Sequence, residues 1–122
     1  FENHYPIEDK RLVFLGDQTA IGHFCALQQL ANNKAKINGY ICFNEQQTAD
    51  DFTENCPWLP LETLTSYTEV NQKAEQFIQS LDDKENCMFY IVGYAKMVVS
   101  LRKYLRLQGI AGEQIKSKGF WH

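Results

Sequence analysis

No two of the four cysteines, Cys25, Cys42, Cys56 and Cys87, stand close together in this sequence. There is no C-x-x-C pair. The three histidines, His4, His23 and His122, are equally scattered. A zinc site wants thiolates or imidazoles at short spacing, so no metal site is expected. Most of the cysteines sit in apolar runs, where cysteine behaves as a small hydrophobe. They read as reduced core thiols, as in a cytoplasmic protein, rather than as a disulfide framework. Cys56, beside Pro57, is the expected exposed thiol.

Other absences narrow the function. No apolar run approaches the roughly 20 residues that cross a bilayer, so no membrane span is expected. The formal net charge is −3. That balance gives no global attraction to nucleic acid or to anionic membranes. There are no internal repeats and no low-complexity tracts. No Ser–His–Asp or Cys–His set can be placed, and no carboxylate pair shares a convincing site. No catalytic residue is therefore named. The first residues, Phe1-Glu2-Asn3-His4, are polar and lack a leading Met, and no signal peptide is visible. Such a start is expected of a piece of a longer chain.

What is present is an alternation of strand and helix patterns over about one domain's length. Residues 1–10 read as a polar lead-in. Leu12-Val-Phe-Leu15 is a buried-type strand stopping at Gly16. Ile21, Phe24, Cys25, Leu27 and Leu30 mark one helical face, and Asn32 and Asn33 end that helix. Ile37–Phe43 reads as a second strand. Asn44–Asn55 is polar and acidic and reads as a loop. Trp58–Leu64, with two prolines, offers at most a short edge strand. Ser66-x-x-Glu69 is a capping box ahead of the stripe Val70, Ala74, Phe77, Ile78 and Leu81. Cys87–Val92 is another buried strand, closed by Gly93. Tyr94, Met97, Val98, Leu101, Tyr104 and Leu105 line a last helix, with Gly109 as its C-terminal cap. Ile115–Trp121 forms a final strand. The order predicts an α/β, Rossmann-like three-layer domain with a parallel sheet of about five strands and right-handed crossovers.

In such sheets ligands bind at the carboxyl ends of the strands. The turn Gly16-Asp17-Gln18-Thr19-Ala20-Ile21-Gly22 is neither G-x-G-x-x-G nor a Walker sequence. A carboxylate at Asp17 competes with an anion for the helix-start amides. Asp17 or Thr19 reads as an N-cap, with a direct hold on a ligand's ribose or amide as the other reading. Gly93, before Tyr94, either lets a ligand approach or makes the bend. Lys96, Arg102, Lys103 and Arg106 lie off the apolar stripe, as a solvated face or as a patch for an anionic ligand. The pair Phe120-Trp121 closes the core or forms one wall of a flat-ring site. His23 reads as packed or solvated rather than catalytic.

Three of these segments together resemble the C-terminal domain of the siderophore-interacting proteins, the flavin-dependent ferric-siderophore reductases. That family has a strand ending in Gly-Asp-Glu-Thr-Ala-Leu-Pro-Ala; here the run is Gly16-Asp17-Gln18-Thr19-Ala20-Ile21-Gly22-His23. It has a strand running into Ala-Gly-Glu and a helix with Leu-Arg-Arg-Tyr-Leu-Arg. Here these are Val92-Gly93-Tyr94 and Leu101-Arg102-Lys103-Tyr104-Leu105-Arg106. It closes on Gly-Tyr-Trp and a basic residue; here Gly119-Phe120-Trp121-His122. The motifs fall in order between Leu12 and His122.

The resemblance implies a longer cytoplasmic enzyme, similar in plan to ferredoxin reductases. A flavin-binding barrel lies upstream of residues 11–122 and holds most of the FAD. This domain binds NADH or NADPH and presents nicotinamide to the flavin. Electrons then reach ferric iron in a siderophore. The domain alone is expected to be inactive. By resemblance, Gly16, Asp17, Thr19, Gly93 and Tyr94 line the nucleotide site, with Trp121 near the flavin–nicotinamide junction. Arg106 and His122 are the candidate contacts for an anionic siderophore. The sequence departs from the family at Gly22, His23 and Tyr94, and its last residue is histidine, charged only at lower pH. Asn44-Glu45-Gln46 offers no Arg or Lys to a 2′-phosphate, which favours NADH. Two other readings stand beside this one. The first is a binding or interaction module that has lost its nucleotide. The second is a flavodoxin-like or response-regulator domain, which lacks its phosphate loop or acidic pair here.

Overall fold

The structure is a computed structural model that describes residues 10–31 and 36–120. The chain runs β1 (Arg11–Asp17), α1 (Ile21–Ala31), β2 (Ile37–Cys42), α2 (Gln46–Asn55), β3 (Glu62–Leu64), α3 (Tyr67–Gln79), β4 (Cys87–Tyr94), α4 (Ala95–Leu107) and β5 (Ile115–Phe120). All strand pairs are parallel, in the order β3-β2-β1-β4-β5.

The central strands have no polar face, because helices cover both sides of the sheet. In β1, Val13 and Leu15 pack toward α3 and α4. Leu12 and Phe14 pack toward α1 and α2. In β4, Phe89 and Ile91 join the first cluster, and Met88, Tyr90 and Val92 the second. This alternation explains continuous apolar runs where a half-exposed strand would show period two. Each fully buried large side chain contributes about 1.5–3 kcal/mol of transfer free energy. Phe14 stacks on Phe24 of α1 at 4.6 Å and meets Tyr90 edge-on at 5.7 Å. These rings fix the start of α1 over the strand ends.

Right-handed crossovers explain the layers. The chain steps from β1 to β2 to β3 in one direction, which puts α1 and α2 on one face. It then returns past β1 to β4 and β5, which puts α3 and α4 on the other.

The local signals mostly hold. Ser66 Oγ accepts the N–H of Glu69 at 3.2 Å, but Glu69 receives the Thr65 hydroxyl at 2.7 Å instead of closing a full box. Behind α4, the N–H of Ile110 reaches the carbonyl of Leu105 and that of Gly109 the carbonyl of Arg106. With Gly109 at φ +85°, this is a Schellman ending, sealed by the buried pair Leu105 and Ile110.

Three expectations need correction. The first concerns 44–55, read as a loop; it contains α2. Only Ala49 and Phe52, three apart, are buried in that helix, so the apolar stripe is too thin to read. Gln46–Asp50 and Gln47–Asp51 side-chain hydrogen bonds, each 2.9 Å, hold its outer face. Second, neither central strand stops at its glycine: β1 pairs through Asp17 rather than ending at Gly16, and β4 pairs through Tyr94 rather than closing at Gly93, so α4 starts only at Ala95. Third, Leu30 is half-exposed while Gln28 turns inward, so the buried face of α1 runs through Phe24, Leu27 and Gln28. The lead-in 1–9, the helix-ending Asn32 and Asn33, and the end of the last strand at Trp121 lie outside the described residues.

Candidate functional site

The strand order reverses between β1 and β4, and the crevice beyond their carboxyl ends is where open α/β sheets take ligands. Asp17 ends β1 there and is only 3% exposed. Its Oδ1 accepts the backbone N–H of Thr19 at 2.9 Å and also the Thr19 hydroxyl. Its Oδ2 accepts the backbone N–H of Tyr94 at 2.9 Å and the Tyr67 phenol at 3.2 Å. A buried carboxylate needs such compensation. Thr19 belongs to the first turn after β1 and Tyr94 stands just before α4. These helix-start amides are the ones a phosphate would use. Asp17 occupies both.

The glycines serve this arrangement. Gly93 has φ +151°, and a Cβ on it would lie 2.8 Å from the Asp17 carboxyl carbon. The carboxylate rests on the bare Cα, so the bend and the close approach are one requirement. A Cβ on Gly16 would lie 2.4 Å from the Val92 carbonyl oxygen and 3.0 Å from the Phe24 ring. Gly16 is thus the contact that lets β4 and α1 close on β1. Both glycines are buried.

A cavity of about 670 Å³ opens over Asp17, lined by Asp17, Gln18, Thr19, Asn44, Tyr67 and Tyr94. Gly16 and Gly93 support it from beneath and are not among its described lining residues. The volume falls within the usual range of small-molecule sites, roughly 300–1,000 Å³. The Tyr67 and Tyr94 rings stack with centroids 5.3 Å apart and planes 30° apart. On the opposite side the N–H of Asn44 donates to Gln18 Oε1 at 3.1 Å. That bond ties the β1 turn to the β2 turn.

Electrostatics keep two groups at the site protonated. Burial, and then the Asp17 carboxylate, push the Tyr67 phenol up to about 12. Cys42 pairs with Asp17 across β1 and β2. Burial and the same carboxylate push its thiol up to about 12, so near neutral pH it is neither thiolate nor nucleophile. Among the described residues no group of three or more His, Cys, Asp or Glu could hold a metal ion.

The sequence-derived candidates divide. Asp17, Thr19 and Tyr94 meet at the cavity. Arg106 does not: it lies at the far end of α4, where its guanidinium donates to the Ile110 carbonyl at 2.8 Å. Arg102 likewise bonds Ser117 at 3.1 Å. Lys96 and Lys103 line a second depression of about 370 Å³ on the outer side of α4. His23 packs its ring 5.8 Å from Phe120. Burial, and then Lys118, lower its pKa below the usual histidine value. Gly22 is exposed with open space around it, so that departure from the family pattern does not touch the cavity, whereas Tyr94 forms its wall. Trp121 and His122 lie outside the described residues. Sequence reasoning missed Gln18, Asn44 and Tyr67 as lining residues. Each follows a strand end closely, and that position was their one legible signal.

A parallel sheet in this order, with helices on both faces and a crevice at the β1/β4 reversal, defines the nucleotide-domain fold of ferredoxin reductases. Solved structures agree. The ferredoxin reductase of carbazole 1,9a-dioxygenase superposes with a TM-score of 0.73 at 12% identity, over 98% of this chain and 36% of that one. The siderophore-interacting protein from Acinetobacter baumannii gives 0.66 at 16% identity, over 96% and 49%. The flavohem-like FAD/NAD-binding domain of nitric oxide dioxygenase from Vibrio cholerae gives 0.59 at 14% identity, over 97% and 54%. The chain therefore spans about a third to a half of these proteins. No curated protein matches it by sequence. Residues 9–122 match the siderophore-interacting protein family, and the chain belongs to that family. Among the described residues no helix is long and apolar enough to cross a membrane.

Proposed function

We propose that this chain is the NAD(P)H-binding half of a flavin-dependent ferric-siderophore reductase. The observation that carries the reading is the cavity at the β1/β4 reversal, walled by two aromatic faces and floored by a saturated carboxylate. Its residues fit the nicotinamide end of a reduced nucleotide. The Tyr67 and Tyr94 rings offer flat surfaces to a planar ring. The Asn44 and Gln18 side chains offer amide groups to a carboxamide or ribose. The Asp17 carboxylate holds Tyr67, Thr19 and Tyr94 in fixed relation, so the walls are set before a ligand arrives. Because Asp17 takes the Thr19 and Tyr94 amides, the pyrophosphate has to lie elsewhere along the strand ends.

A reduced nucleotide held here by Tyr67, Tyr94, Asn44 and Gln18 would supply hydride equivalents for a flavin on an upstream barrel domain, with siderophore-held ferric iron as the final acceptor. The chain's own part is binding, orientation and exclusion of water. Glu45 stands exposed at the end of β2, in the region where an acidic residue accepts a ribose 2′-hydroxyl and repels a 2′-phosphate. That favours NADH. The protein is expected to work in the cytoplasm, where both reductant and released ferrous iron are used.

One observation favours a second reading, a binding module without nucleotide: Asp17 already fills the amide cradle. Titrating the chain with NADH and NADPH by NMR separates the two. Saturable shifts at Thr19, Asn44, Tyr67 and Tyr94 support the nucleotide site, and their absence with both nucleotides favours the module. A longer protein that includes the flavin barrel should then oxidise NADH when given a ferric siderophore.

A further inference from the structure

The carboxylate under the cavity keeps its charge. Asp17 accepts the Thr19 and Tyr94 amides at 2.9 Å each, the Thr19 hydroxyl, and the Tyr67 phenol at 3.2 Å. Four bonds accepted at one carboxyl are the pattern of the ionised group. All four of these donors are neutral, so they satisfy the carboxylate without cancelling its charge. No Lys, Arg or His stands among the described residues that line the cavity. Asp17 is almost wholly buried, and solvent screens a buried charge far less than an exposed one. Its field is felt on both sides of β1: it adds to burial in raising the Tyr67 phenol and the Cys42 thiol. Above the carboxylate, the Tyr67 and Tyr94 rings stack on each other. The face of such a ring is the negative pole of its quadrupole. Floor and wall therefore carry the same sign.

We infer that the cavity prefers a planar cation, which for a nicotinamide means the oxidised, pyridinium form over the neutral reduced form. This rests on the nucleotide reading above and deepens it. A cation against an aromatic face is attracted by the ring, and more strongly out of water. The uncancelled charge of Asp17 acts in the same direction. A neutral dihydronicotinamide gains from neither. Asp17 then has two parts to play. It positions Tyr67, Thr19 and Tyr94, and it supplies a negative charge beneath them. A site that favours the cation favours the charge that appears on the ring as hydride, two electrons with one proton, passes to a flavin. The same preference makes the oxidised nucleotide compete with fresh reductant.

The test is to titrate the chain with NAD+ and with NADH at 0.15 M salt, by calorimetry and by NMR. Both should shift Thr19, Asn44, Tyr67 and Tyr94, with NAD+ bound about tenfold more tightly. Asp17→Asn keeps the side-chain shape and removes the charge, and should bring the two affinities to within about twofold. Glu45→Gln removes the exposed carboxylate at the end of β2 and should leave the ratio unchanged. Equal affinities, a preference for NADH, or a preference for NAD+ that persists in folded Asp17→Asn overturns the inference while the nucleotide site stands. If neither nucleotide shifts these residues, the nucleotide reading falls and the inference with it. Should Asp17→Asn fail to fold, the wild-type ratio and Glu45→Gln decide: a tenfold preference that survives Glu45→Gln supports Asp17 as its source, and one that vanishes there overturns it.

Discussion

The carboxylate of Asp17 accepts the backbone N–H of Tyr94 at 2.9 Å, across 77 residues of sequence. This bond joins the ends of the two central strands at the point where the sheet reverses direction. Thr19 and Tyr67 converge on the same carboxylate. The cavity floor is therefore a tertiary structure in miniature, and its loss should be felt in stability as well as in binding.

Asp17→Ala leaves the Thr19 and Tyr94 amides and the Tyr67 hydroxyl without their acceptor. Buried unsatisfied donors cost about 1–3 kcal/mol each, and partial access of water at the cavity softens the sum. A loss of about 3 kcal/mol is expected from urea unfolding. Asp17→Asn keeps the shape and one accepting oxygen, and should lose roughly half as much.

Gly93→Ala and Gly22→Ala should move stability in opposite directions. At Gly93 a methyl group meets the Asp17 carboxylate at 2.8 Å in a backbone conformation with φ +151°. A cost of about 2–3 kcal/mol is expected, from strain plus displacement of the carboxylate. At Gly22, near the start of α1, the methyl meets open space. There alanine should stabilise by about 0.5 kcal/mol through helix propensity. Thermal unfolding of the two variants beside the wild type checks both signs.

Alkali should unfold the chain through its buried neutral acids. Burial, joined at Tyr67 by the Asp17 carboxylate, holds Tyr67 and Tyr90 up to about 12, from an ordinary value of 10.0. Cys42 is pushed to about 12 from 9.0. A pKa raised in the folded state means that folding favours the protonated form. The contribution is whole below about pH 9–10 and is lost as the pH climbs through about 12. Stability should be insensitive to these groups near neutral pH and fall steeply above about 10. Phenolate absorbance should show Tyr67 and Tyr90 ionising late, together with unfolding. Tyr67→Phe should flatten part of the alkaline decline.

Nucleotide choice follows Glu45 if the proposed site is right. Glu45→Arg removes the acceptor for a ribose 2′-hydroxyl and offers a cation to a 2′-phosphate. The NADPH-to-NADH affinity ratio should rise about tenfold, equivalent to about 1.4 kcal/mol. Tyr94→Ala, which removes one aromatic wall, should weaken both nucleotides by a similar factor without changing their ratio. Isothermal titration of each variant distinguishes a change in preference from a change in grip.

Much of the fold was legible because its signals are local. The runs Leu12–Leu15 and Cys87–Val92 announce strands covered on both faces, since nothing polar interrupts them. Ser66 and Gly109 mark a helix start and a helix end through bonds made within a few residues. The helix α2 was not legible, because Ala49 and Phe52 alone carry its buried face and Phe43, from another element, supplies the partner ring at 5.5 Å. The resemblance named Asp17, Thr19 and Tyr94 together, and the structure brings these three to one cavity at the strand ends. It also named Arg106 as a contact for an anionic siderophore; that residue lies in the last turn of α4, where it donates to the Ile110 carbonyl.

The sequence by itself determined every element but α2, the strand-helix alternation and the crevice toward which the turns point. Periodicity, caps and apolar runs act over one element at a time. Only the tertiary structure decided what fills that crevice. Tyr67 and Tyr94 reach Asp17 because β1 lies between β2 and β4. No local pattern encodes those meetings. They depend on the order in which strands pair, which is set by burial of the whole sheet.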